Sequence, residues 1–405
     1  MMVKLIKRSA VALLILLALL LIMIKDVQQG QKHYTETHPA WETPVYTGNI
    51  SLYKKGQTLF PALFQDIKKA KSSVYLHFYI LRNDALTKRL FSLLKEKATQ
   101  GLNVCLSVDL IGGHELTRES IEQLKKANVK VSFSRKISAA HPFYSAHHRN
   151  HRRIAVIDSS IGYVGGFNVG EEYLGHEKKL GKWHDYHVRI TGESINTLEK
   201  QFLLDWKEDS KESILPPSSH NIVKGGETSY RFLFTSGSGM ENRMRKWIKK
   251  ANSSFFIATP YFLPPRSIMN ELEQALKRGV HVTILVPEKT DARLFARPPS
   301  YQKLKMLVDK GANVYVYNHG FFHGKVLVKD EEFVDIGTAN GDSRSFFLND
   351  ESNCIIYDKQ FIQKIKNSLK KDIENSKHVD QSYFESLPFW NKWFQNAPEF
   401  LQYYF

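Results

Sequence analysis

The chain repeats its own pattern, and this internal duplication constrains the fold more than any other feature. The segment IKKAKSSVYLHFYI at residues 67–80 corresponds to IKKANSSFFIATPY at residues 248–261. Two later segments, QGLNVCLSVD and KKANVKVSF, correspond in the same order to RGVHVTILVP and DKGANVYVY. Each pair is typical of a helix end or turn followed by an apolar strand. The sequence therefore predicts an α/β fold of two duplicated domains related by a pseudo-twofold axis.

An apolar segment near the N-terminus predicts a membrane anchor. The stretch SAVALLILLALLLIMI at residues 9–24 is uncharged and is flanked by Lys7, Arg8 and Lys25. It is shorter than the ~20 residues that a spanning helix usually needs, but flanking cations extend its reach. A cleaved signal peptide is the alternative, although the exit IMIKDVQ has no small-residue cleavage site. We expect a retained, single-pass anchor in the cell membrane, and the slight excess of cations before it favours a cytoplasmic N-terminus.

A second boundary lies in the stretch SILPPSSHNIVKGGETS, which is rich in proline, glycine and serine. An aromatic C-terminal segment, residues 382–405, is expected to dock on the domain core or to lie at the membrane interface. The predicted parts are an anchor at 1–30, a linker at 31–47, a first domain at 48–212, a linker at 213–229 and a second domain at 230–405.

Composition limits the partners and the type of site. The 57 Lys+Arg against 41 Asp+Glu give a formal charge of +16, which favours an anionic partner, either a phospholipid surface or nucleic acid. The chain has two cysteines, Cys105 and Cys354, which excludes a disulfide framework and a clustered zinc site. Both lie in apolar runs, so we expect buried thiols. No metal or other cofactor is predicted.

One motif occurs once in each half and contains the candidate chemistry. HRRIAVID at residues 151–158 corresponds to HGKVLVKD at residues 323–330. Two histidines with two cations fit phosphodiester transfer, because one imidazole can attack phosphorus while the other protonates the leaving alkoxide. Cations and amides would stabilise the charge on the non-bridging oxygens. At matching distances after the motifs stand Gly165 and Asn168 in the first half, and Gly337 and Asn340 in the second.

The spacing within each motif separates its histidine from its aspartate. On a strand, His151 and Arg153 share one face, whereas Asp158 points to the other. The same holds for His323 and Asp330 in the second motif. We therefore expect the aspartates to hold the following turn or to reach the other half. The glycines are either turn residues or sites where backbone amides approach a phosphate.

These motifs resemble the HKD motifs of the phospholipase D superfamily. The segments NHRRIAVIDSSIGYVGGFNVGEEYLG, WHDYHVRITG, TPYFLPP and GTANGDSRSFFLNDESN resemble parts of bacterial cardiolipin synthases, and the resemblance covers roughly residues 48–375. It implies two phospholipase D-like domains and metal-independent transfer of a phosphatidyl group between phosphatidylglycerol molecules. A phosphohistidine would form and glycerol would be released. The implied catalytic residues are His151, Arg153, Asp158, His323, Lys325 and Asp330.

The resemblance also implies supporting residues and partners. The family places an acid from the following strand against each histidine, and Asp185 and Glu351 match these positions. Such an acid would orient the imidazole and stabilise its protonated form. The implied partners are phosphatidylglycerol and anionic membrane lipids, with no nucleic acid. The competing functions are a phospholipase D-type hydrolase, a nuclease and an inactive membrane-bound binding protein.

Three positions depart from the repeat or from the family. Arg153 stands where the family has lysine, and the sequence favours preserved or raised activity in Arg153→Lys. Gly341 stands where a larger apolar residue is usual, and it is expected to loosen the backbone beside Asn340. An extra loop, KISAAHPFYSAHHRN, precedes the first motif. It is either a solvated surface loop or a rim in which Arg149 and Arg152 meet anionic headgroups.

Overall fold

A computed structural model describes residues 2–216, 225–289 and 297–388 of the protein. Its helices are α1 (Met2–Thr37), α2 (Gly56–Lys69), α3 (Ala85–Thr99), α4 (Arg118–Lys126), α5 (Pro142–His147), α6 (Ile195–Ser210), α7 (Met240–Lys249), α8 (Arg266–Lys277), α9 (Arg297–Val308), α10 (Ser343–Phe347), α11 (Lys359–Glu374) and α12 (Gln381–Glu385).

The strands of the first half are β1 (Trp41–Glu42), β2 (Tyr46–Tyr53), β3 (Ser73–Phe78), β4 (Asn103–Asp109), β5 (Lys130–Ser134), β6 (Ile154–Ile157), β7 (Ile161–Gly165), β8 (Trp183–His184) and β9 (His187–Gly192). Those of the second half are β10 (Thr228–Ser236), β11 (Ser254–Ala258), β12 (Phe262–Leu263), β13 (His281–Pro287), β14 (Asn313–Tyr317), β15 (Phe321–Phe322), β16 (Val326–Lys329), β17 (Phe333–Gly337), β18 (Gly341–Asp342), β19 (Asp350–Ile356) and β20 (Ser376–Val379).

Most strands form one 16-stranded sheet with the order β20-β14-β13-β11-β16-β17-β19-β10-β2-β9-β7-β6-β3-β4-β5, and its remaining strand, β1, pairs with β10 outside this order. The run from β14 to β10 repeats the order of the run from β5 to β2. The two runs meet where β10 pairs antiparallel with its equivalent, β2. Because an antiparallel pair of equivalent strands has local twofold symmetry, the halves are related by a pseudo-twofold axis at this pair. The predicted fold of two duplicated α/β domains is confirmed.

Each half builds its core as the apolar runs predict. The parallel strands β3 and β4 contribute fully buried Val74, Leu76 and Leu106 to a core that they share with α2 and α3. Helix α3 begins after Asp84, whose carboxylate accepts the Thr87 N–H, so one free donor of the first turn is satisfied. Apolar cores of this kind cover the sheet in both halves. The candidate site residues therefore lie at the ends of the strands.

Several boundaries differ from those expected from the sequence. Helix α1 continues to Thr37, so residues 31–37 are helical rather than part of a linker. Strand β10 begins at Thr228, inside the predicted second linker, whose residues 217–224 lie outside the described residues. In the C-terminal segment, α12 packs on α9 with the Phe384 ring 6.4 Å from that of Tyr301. Residues 389–405, which contain most of that aromatic segment, lie outside the described residues.

The exposed fractions of the cysteines and of two arginines test two further expectations. Cys105 and Cys354 are both fully buried, as predicted. Arg149 and Arg152 do not form an exposed rim on the surface, because their exposed fractions are 2% and 1%. Arg152 donates to both carboxylate oxygens of Asp205 at 2.9 Å. These arginines are charged residues of the interior and are stabilised by paired acids.

Candidate active site

Each motif histidine lies against a carboxylate from the other half. His151 Nδ1 is 2.9 Å from both carboxylate oxygens of Glu351. His323 Nδ1 is 2.6 Å from Asp185 Oδ2. The two acids expected from the sequence therefore do contact the histidines, but the expectation that each comes from the following strand of the same half is wrong.

Backbone pairing between the halves explains this exchange. The His151 N–H donates to the Asp350 carbonyl at 3.0 Å, and the His323 N–H donates to the His184 carbonyl at 2.7 Å. Each of these carbonyls belongs to the residue just before an acid, Glu351 in one case and Asp185 in the other. The same interaction thus occurs twice around the pseudo-twofold axis. It positions each imidazole beside the acid of the opposite half.

Both imidazoles open into one cavity between the halves. Its volume is about 510 Å³. The predicted site residues that line it are His151, Arg153, Asn168, His323 and Asn340. Apolar and aromatic side chains complete its walls, including Tyr79, Ile80, Trp183, Phe262, Leu263 and Leu304. A polar centre with apolar walls suits a ligand that has a charged group and hydrocarbon.

The two cations are held differently. Arg153 donates from Nε to Asn168 Oδ1 at 3.1 Å and from a terminal nitrogen to the His151 carbonyl at 2.7 Å. Its guanidinium also lies 5.6 Å from the centroid of the Tyr79 ring. Lys325 Nζ lies 2.9 and 3.0 Å from the two ring nitrogens of His323, and it donates to the His323 carbonyl at 2.7 Å. The planar arginine therefore uses several donors at once where lysine has a single point of charge.

The acids of the two half-sites differ in protonation. Burial raises the pKa of Glu351 to about 8, although Thr338 Oγ1 donates to its carboxylate at 2.5 Å. Burial lowers the pKa of His151 well below its usual value, and the charges of Arg153 and Lys325 lower it further. This pair therefore favours the uncharged forms at neutral pH.

The pKa of Asp185 shifts in the opposite direction to that of Glu351. Burial by itself would raise its pKa, but the charges of His323 and Lys325 outweigh this, and the pKa is lower than usual. The Tyr186 N–H and the Trp183 indole also donate to this carboxylate, at 2.7 and 3.4 Å. Asp185 thus keeps a negative charge beside His323.

The motif aspartates accept hydrogen bonds from backbone N–H groups of a turn and not from the motif histidines. Asp158 accepts hydrogen bonds from the backbone N–H groups of Lys71, Ser72 and Ser73, at the start of β3. Asp330 accepts the equivalent bonds from residues 252–254, at the start of β11. Neither aspartate is among the residues that line the cavity. The implied catalytic role is therefore not supported by their position, and each holds the turn before a neighbouring strand of its own half rather than the following turn.

The paired glycines allow close packing of strands rather than close approach to a phosphate. A Cβ on Gly165 would lie 2.5 Å from the His187 Cα, and one on Gly337 would lie 2.4 Å from the Asn353 Cγ. Gly165 also has a φ of 154°. Neither glycine lines the cavity, so a phosphate-binding role is not supported by their position. Next to Gly165, Gly166 leaves room for the carboxylate of Asp185, which a Cβ would approach to 2.1 Å.

The two asparagines do lie in the cavity, but with different partners. Asn168 Oδ1 accepts from Arg153 and from the Ile80 N–H at 3.0 Å. Asn340 Oδ1 is buried without a hydrogen-bond partner among the described residues. The neighbouring Gly341 is not loosened, because its N–H donates to Thr259 Oγ1 at 2.9 Å and β18 pairs with β12. The amide oxygen of Asn340 thus lacks the two donors that hold the equivalent oxygen of Asn168.

Four residues of the site were not predicted. The Tyr79 ring lies 4.9 Å edge-on to His151, and the Trp183 ring lies 4.9 Å from His323. Thr338 bonds Glu351, and Arg344 lines the cavity. Trp183 and Arg344 stand within segments that resemble the family, which is the only sequence signal for them. Thr338 stands in the same family-like segment as Arg344. Tyr79 gives no such signal, because its role depends on contacts that local spacing does not reveal.

A family model described as cardiolipin synthase, PLD-like domain matches the chain twice, at residues 63–206 and 244–373. The chain belongs to this family. The repeated match coincides with the two halves of the sheet. A cardiolipin synthase of Oceanobacillus iheyensis is 36% identical over 84% of this chain and 72% of its own length. A minor cardiolipin synthase of Bacillus subtilis is 34% identical over 94% of this chain and 95% of its own length.

Solved structures agree with this family at the level of the fold. The crystal structure of a phosphatidylserine synthase from Haemophilus influenzae superposes with a TM-score of 0.70. The match covers 92% of this chain and 97% of the other, at 14% identity. At that identity the likeness establishes the shared two-domain architecture alone.

Proposed function

We propose that the protein is a cardiolipin synthase, a phosphatidyltransferase that joins two phosphatidylglycerol molecules and releases glycerol. The observation that carries this proposal is the convergence of His151 and His323, from equivalent points of the two halves, in one cavity. An in-line displacement at phosphorus has two opposite ends, and the two half-sites supply one imidazole to each. The names of the relatives that match most of the chain support the same activity.

In the first step, the uncharged imidazole of His151 attacks the phosphorus of one phosphatidylglycerol. The P–O bond to the glycerol headgroup breaks, and His323 gives its proton to the departing alkoxide. A phosphatidyl–histidine and free glycerol result. Arg153 lines the cavity and Lys325 Nζ lies 2.9 Å from His323 Nε2, and both charges are assigned to stabilising the non-bridging oxygens.

In the second step, a headgroup hydroxyl of another phosphatidylglycerol attacks the phosphatidyl–histidine. His323 now takes the proton of that hydroxyl, and the bond between phosphorus and His151 breaks. Cardiolipin leaves and both imidazoles return to their starting forms. The apolar walls of the cavity favour this acceptor over water, because they hold the lipid and exclude solvent from the intermediate.

The surroundings of the two histidines assign their roles in the reaction. A nucleophile must be uncharged, and His151 has a lowered pKa because it is buried among cations. A general acid must hold a proton, and the charged carboxylate of Asp185, 2.6 Å from His323 Nδ1, stabilises an imidazolium there against the opposing charge of Lys325. His151 is therefore assigned as the nucleophile and His323 as the proton donor.

The lipid substrate fits a membrane location. Among the described residues, one helix, α1, is long and apolar enough to cross a membrane by length and composition. Beyond its apolar part the same helix packs into the body, where Gln31 Nε2 donates to the Phe347 carbonyl at 2.8 Å. A segment that is bonded into the fold in this way favours a retained single-pass anchor over a cleaved signal peptide.

Product analysis tests this function. The full chain is reconstituted in vesicles that contain phosphatidylglycerol labelled in its acyl chains and its headgroup glycerol. We expect one cardiolipin and one free glycerol for every two phosphatidylglycerols consumed, and no product from the His151→Ala variant. Phosphatidic acid without cardiolipin would instead identify a hydrolase and contradict the proposal.

A further inference from the structure

The short helix α5 connects the anchor helix to the catalytic cavity. At its beginning, Asp26 of α1 accepts the backbone N–H groups of Phe143 and Tyr144 at 2.9 and 3.0 Å. At its other end, Ala146 and His147 line the cavity that contains both catalytic histidines. One turn and a half of helix therefore separates the anchor from the mouth of the site.

Close packing fixes the position of α5 on α1. A Cβ on Gly30 would lie 2.6 Å from the Tyr144 Cβ, so the two helices touch where α1 has no side chain. Tyr144 is buried with Val27 in a small apolar cluster between them. The loop that carries α5 cannot move away from the anchor without breaking these contacts.

The contacts also define how far α5 is from a bilayer. The apolar part of α1 ends at Ile24, and Asp26 lies two residues later, about 3 Å further along the helix axis. Apart from the partly buried Leu20, the large apolar side chains of α1 between residues 11 and 22 are exposed, so the body leaves most of that part of the helix uncovered. When the apolar part spans a membrane, the start of α5 lies at the membrane surface.

Apolar side chains of this loop, and one beside the cavity, are exposed. Ile137 is 57% exposed and Phe143 is 37% exposed, and Ile111, which lines the cavity, is 43% exposed. Lys25 of α1 and Lys136, which precedes Ile137, are exposed cations. Exposed apolar side chains with nearby cations are the composition of surfaces that rest in the boundary between headgroups and hydrocarbon.

We propose that residues 137–147 form a membrane-contacting surface, which we call the interface loop, and that it sets the mouth of the cavity against the bilayer. Ile137 and Phe143 enter the headgroup boundary, and phosphatidylglycerol passes beside α5 and Ile111 from the bilayer to the histidines. The lipid's identity rests on the proposed function, whereas the contact with the bilayer does not. The anchor thus orients the active site as well as retaining the protein.

A depth measurement tests the contact directly. Because Cys105 and Cys354 are fully buried, a full chain with Phe143→Cys carries one accessible thiol for an environment-sensitive fluorophore. In vesicles of phosphatidylglycerol and phosphatidylcholine with nitroxide-labelled lipid, we expect at least threefold stronger quenching at this position than in a matched Gln363→Cys protein. Gln363 is an exposed residue of α11, a helix that packs on β14 and β17. Quenching at position 143 no stronger than at position 363 would overturn the inference.

An activity measurement tests the consequence for substrate entry. The full chain with Ile137→Glu and Phe143→Glu is compared with Gln363→Glu. We expect cardiolipin formation from vesicles to fall at least tenfold in the first variant, with less than a twofold change for dissolved short-chain phosphatidylglycerol. Equal losses on both substrates would overturn the proposed route. If no protein forms cardiolipin but the label at position 143 is quenched, the interface loop stands and the proposed function fails.

Discussion

The two half-sites share one backbone frame and differ in the groups attached to it. In both, a histidine N–H donates to the carbonyl that precedes the acid of the other half. The first half-site combines His151 with a fixed arginine and with Glu351, whose pKa is raised to about 8. The second combines His323 with a lysine and with Asp185, whose pKa is lowered. The two half-sites thus share the backbone geometry around the histidine, while the side chains attached to it carry different charges.

Removing each histidine is the strongest test of this comparison. We expect His151→Ala and His323→Ala both to lose at least ~10⁴-fold in turnover, since neither half-site can perform both roles. With a phosphatidyl ester that has a good leaving group, His323→Ala should still form the covalent intermediate, because its nucleophile remains. Rapid quenching and detection of acid-labile lipid on the protein measures this. Label on His151→Ala but not on His323→Ala would reverse the assignment of roles.

The acids should differ in their effect on turnover. We expect Asp185→Asn to reduce kcat by roughly 10²–10⁴-fold, because the amide cannot stabilise the His323 imidazolium. Glu351→Gln should reduce kcat less than about tenfold at pH 7, since glutamine resembles the uncharged form of Glu351. Steady-state kinetics of the two purified variants measure both losses in kcat. Equal losses would remove the proposed asymmetry between the half-sites.

Arg153→Lys sharpens the comparison of the cations. The sequence favours preserved activity in this variant, but the structure gives a reason for a loss. A lysine cannot bond Asn168 and the His151 carbonyl through a planar fork. We expect about a tenfold decrease in kcat/KM, while Lys325→Arg serves as the reciprocal change in the second half-site. Unchanged kcat/KM in Arg153→Lys would show that charge alone is required at this position.

The pH profile gives a smaller effect with a defined sign. Glu351 has a pKa of about 8, so it loses its proton as the pH rises through that value. The new negative charge increases the basicity of His151, and we expect a several-fold rise in single-turnover phosphatidyl transfer to the enzyme near pH 8. This rise in rate near pH 8 should be absent in Glu351→Gln, because glutamine has no proton to lose in that range. A step that persists in this variant must come from another group.

The motif aspartates should affect stability and not turnover. Asp158→Asn and Asp330→Asn each weaken charge-assisted bonds to backbone N–H groups, and we expect a loss of about 1.5–3 kcal/mol in the free energy of unfolding. Denaturant unfolding measures it, and kcat per folded molecule should remain within about twofold. A large fall in kcat without a change in stability would restore a catalytic role for these residues.

The stabilising contribution of Asp330 should also change with pH in a defined direction. Burial would raise its pKa, but bonds from the backbone of Ser254, Asn252 and Ser253 outweigh this, and the pKa lies below its usual value. The folded state therefore binds this proton more weakly than the unfolded state. Its stabilising contribution is present above pH ~4 and is lost as the pH falls below that value. The stability difference between the native protein and Asp330→Asn should accordingly shrink in acid.

The sequence by itself determined the duplicated α/β fold, the apolar strands, the apolar N-terminal helix and the types of residue in the site. These features depend on local periodicity and on the agreement of two copies, so spacing along the chain is enough to find them. The same local argument correctly separated Asp158 and Asp330 from the histidines. It left the role of Gly165 and Gly337 open, because a glycine that permits two strands to approach has the same appearance in the sequence as one that binds a phosphate.

Tertiary structure alone decided which acid meets which histidine, since the exchange arises from backbone pairing between halves far apart in sequence. It also buried Arg149 and Arg152, which look like surface cations until Asp109 and Asp205 are brought beside them. The pKa difference between Glu351 and Asp185 has the same origin. Burial and long-range charges set it, and neither is a property of a residue's neighbours along the chain.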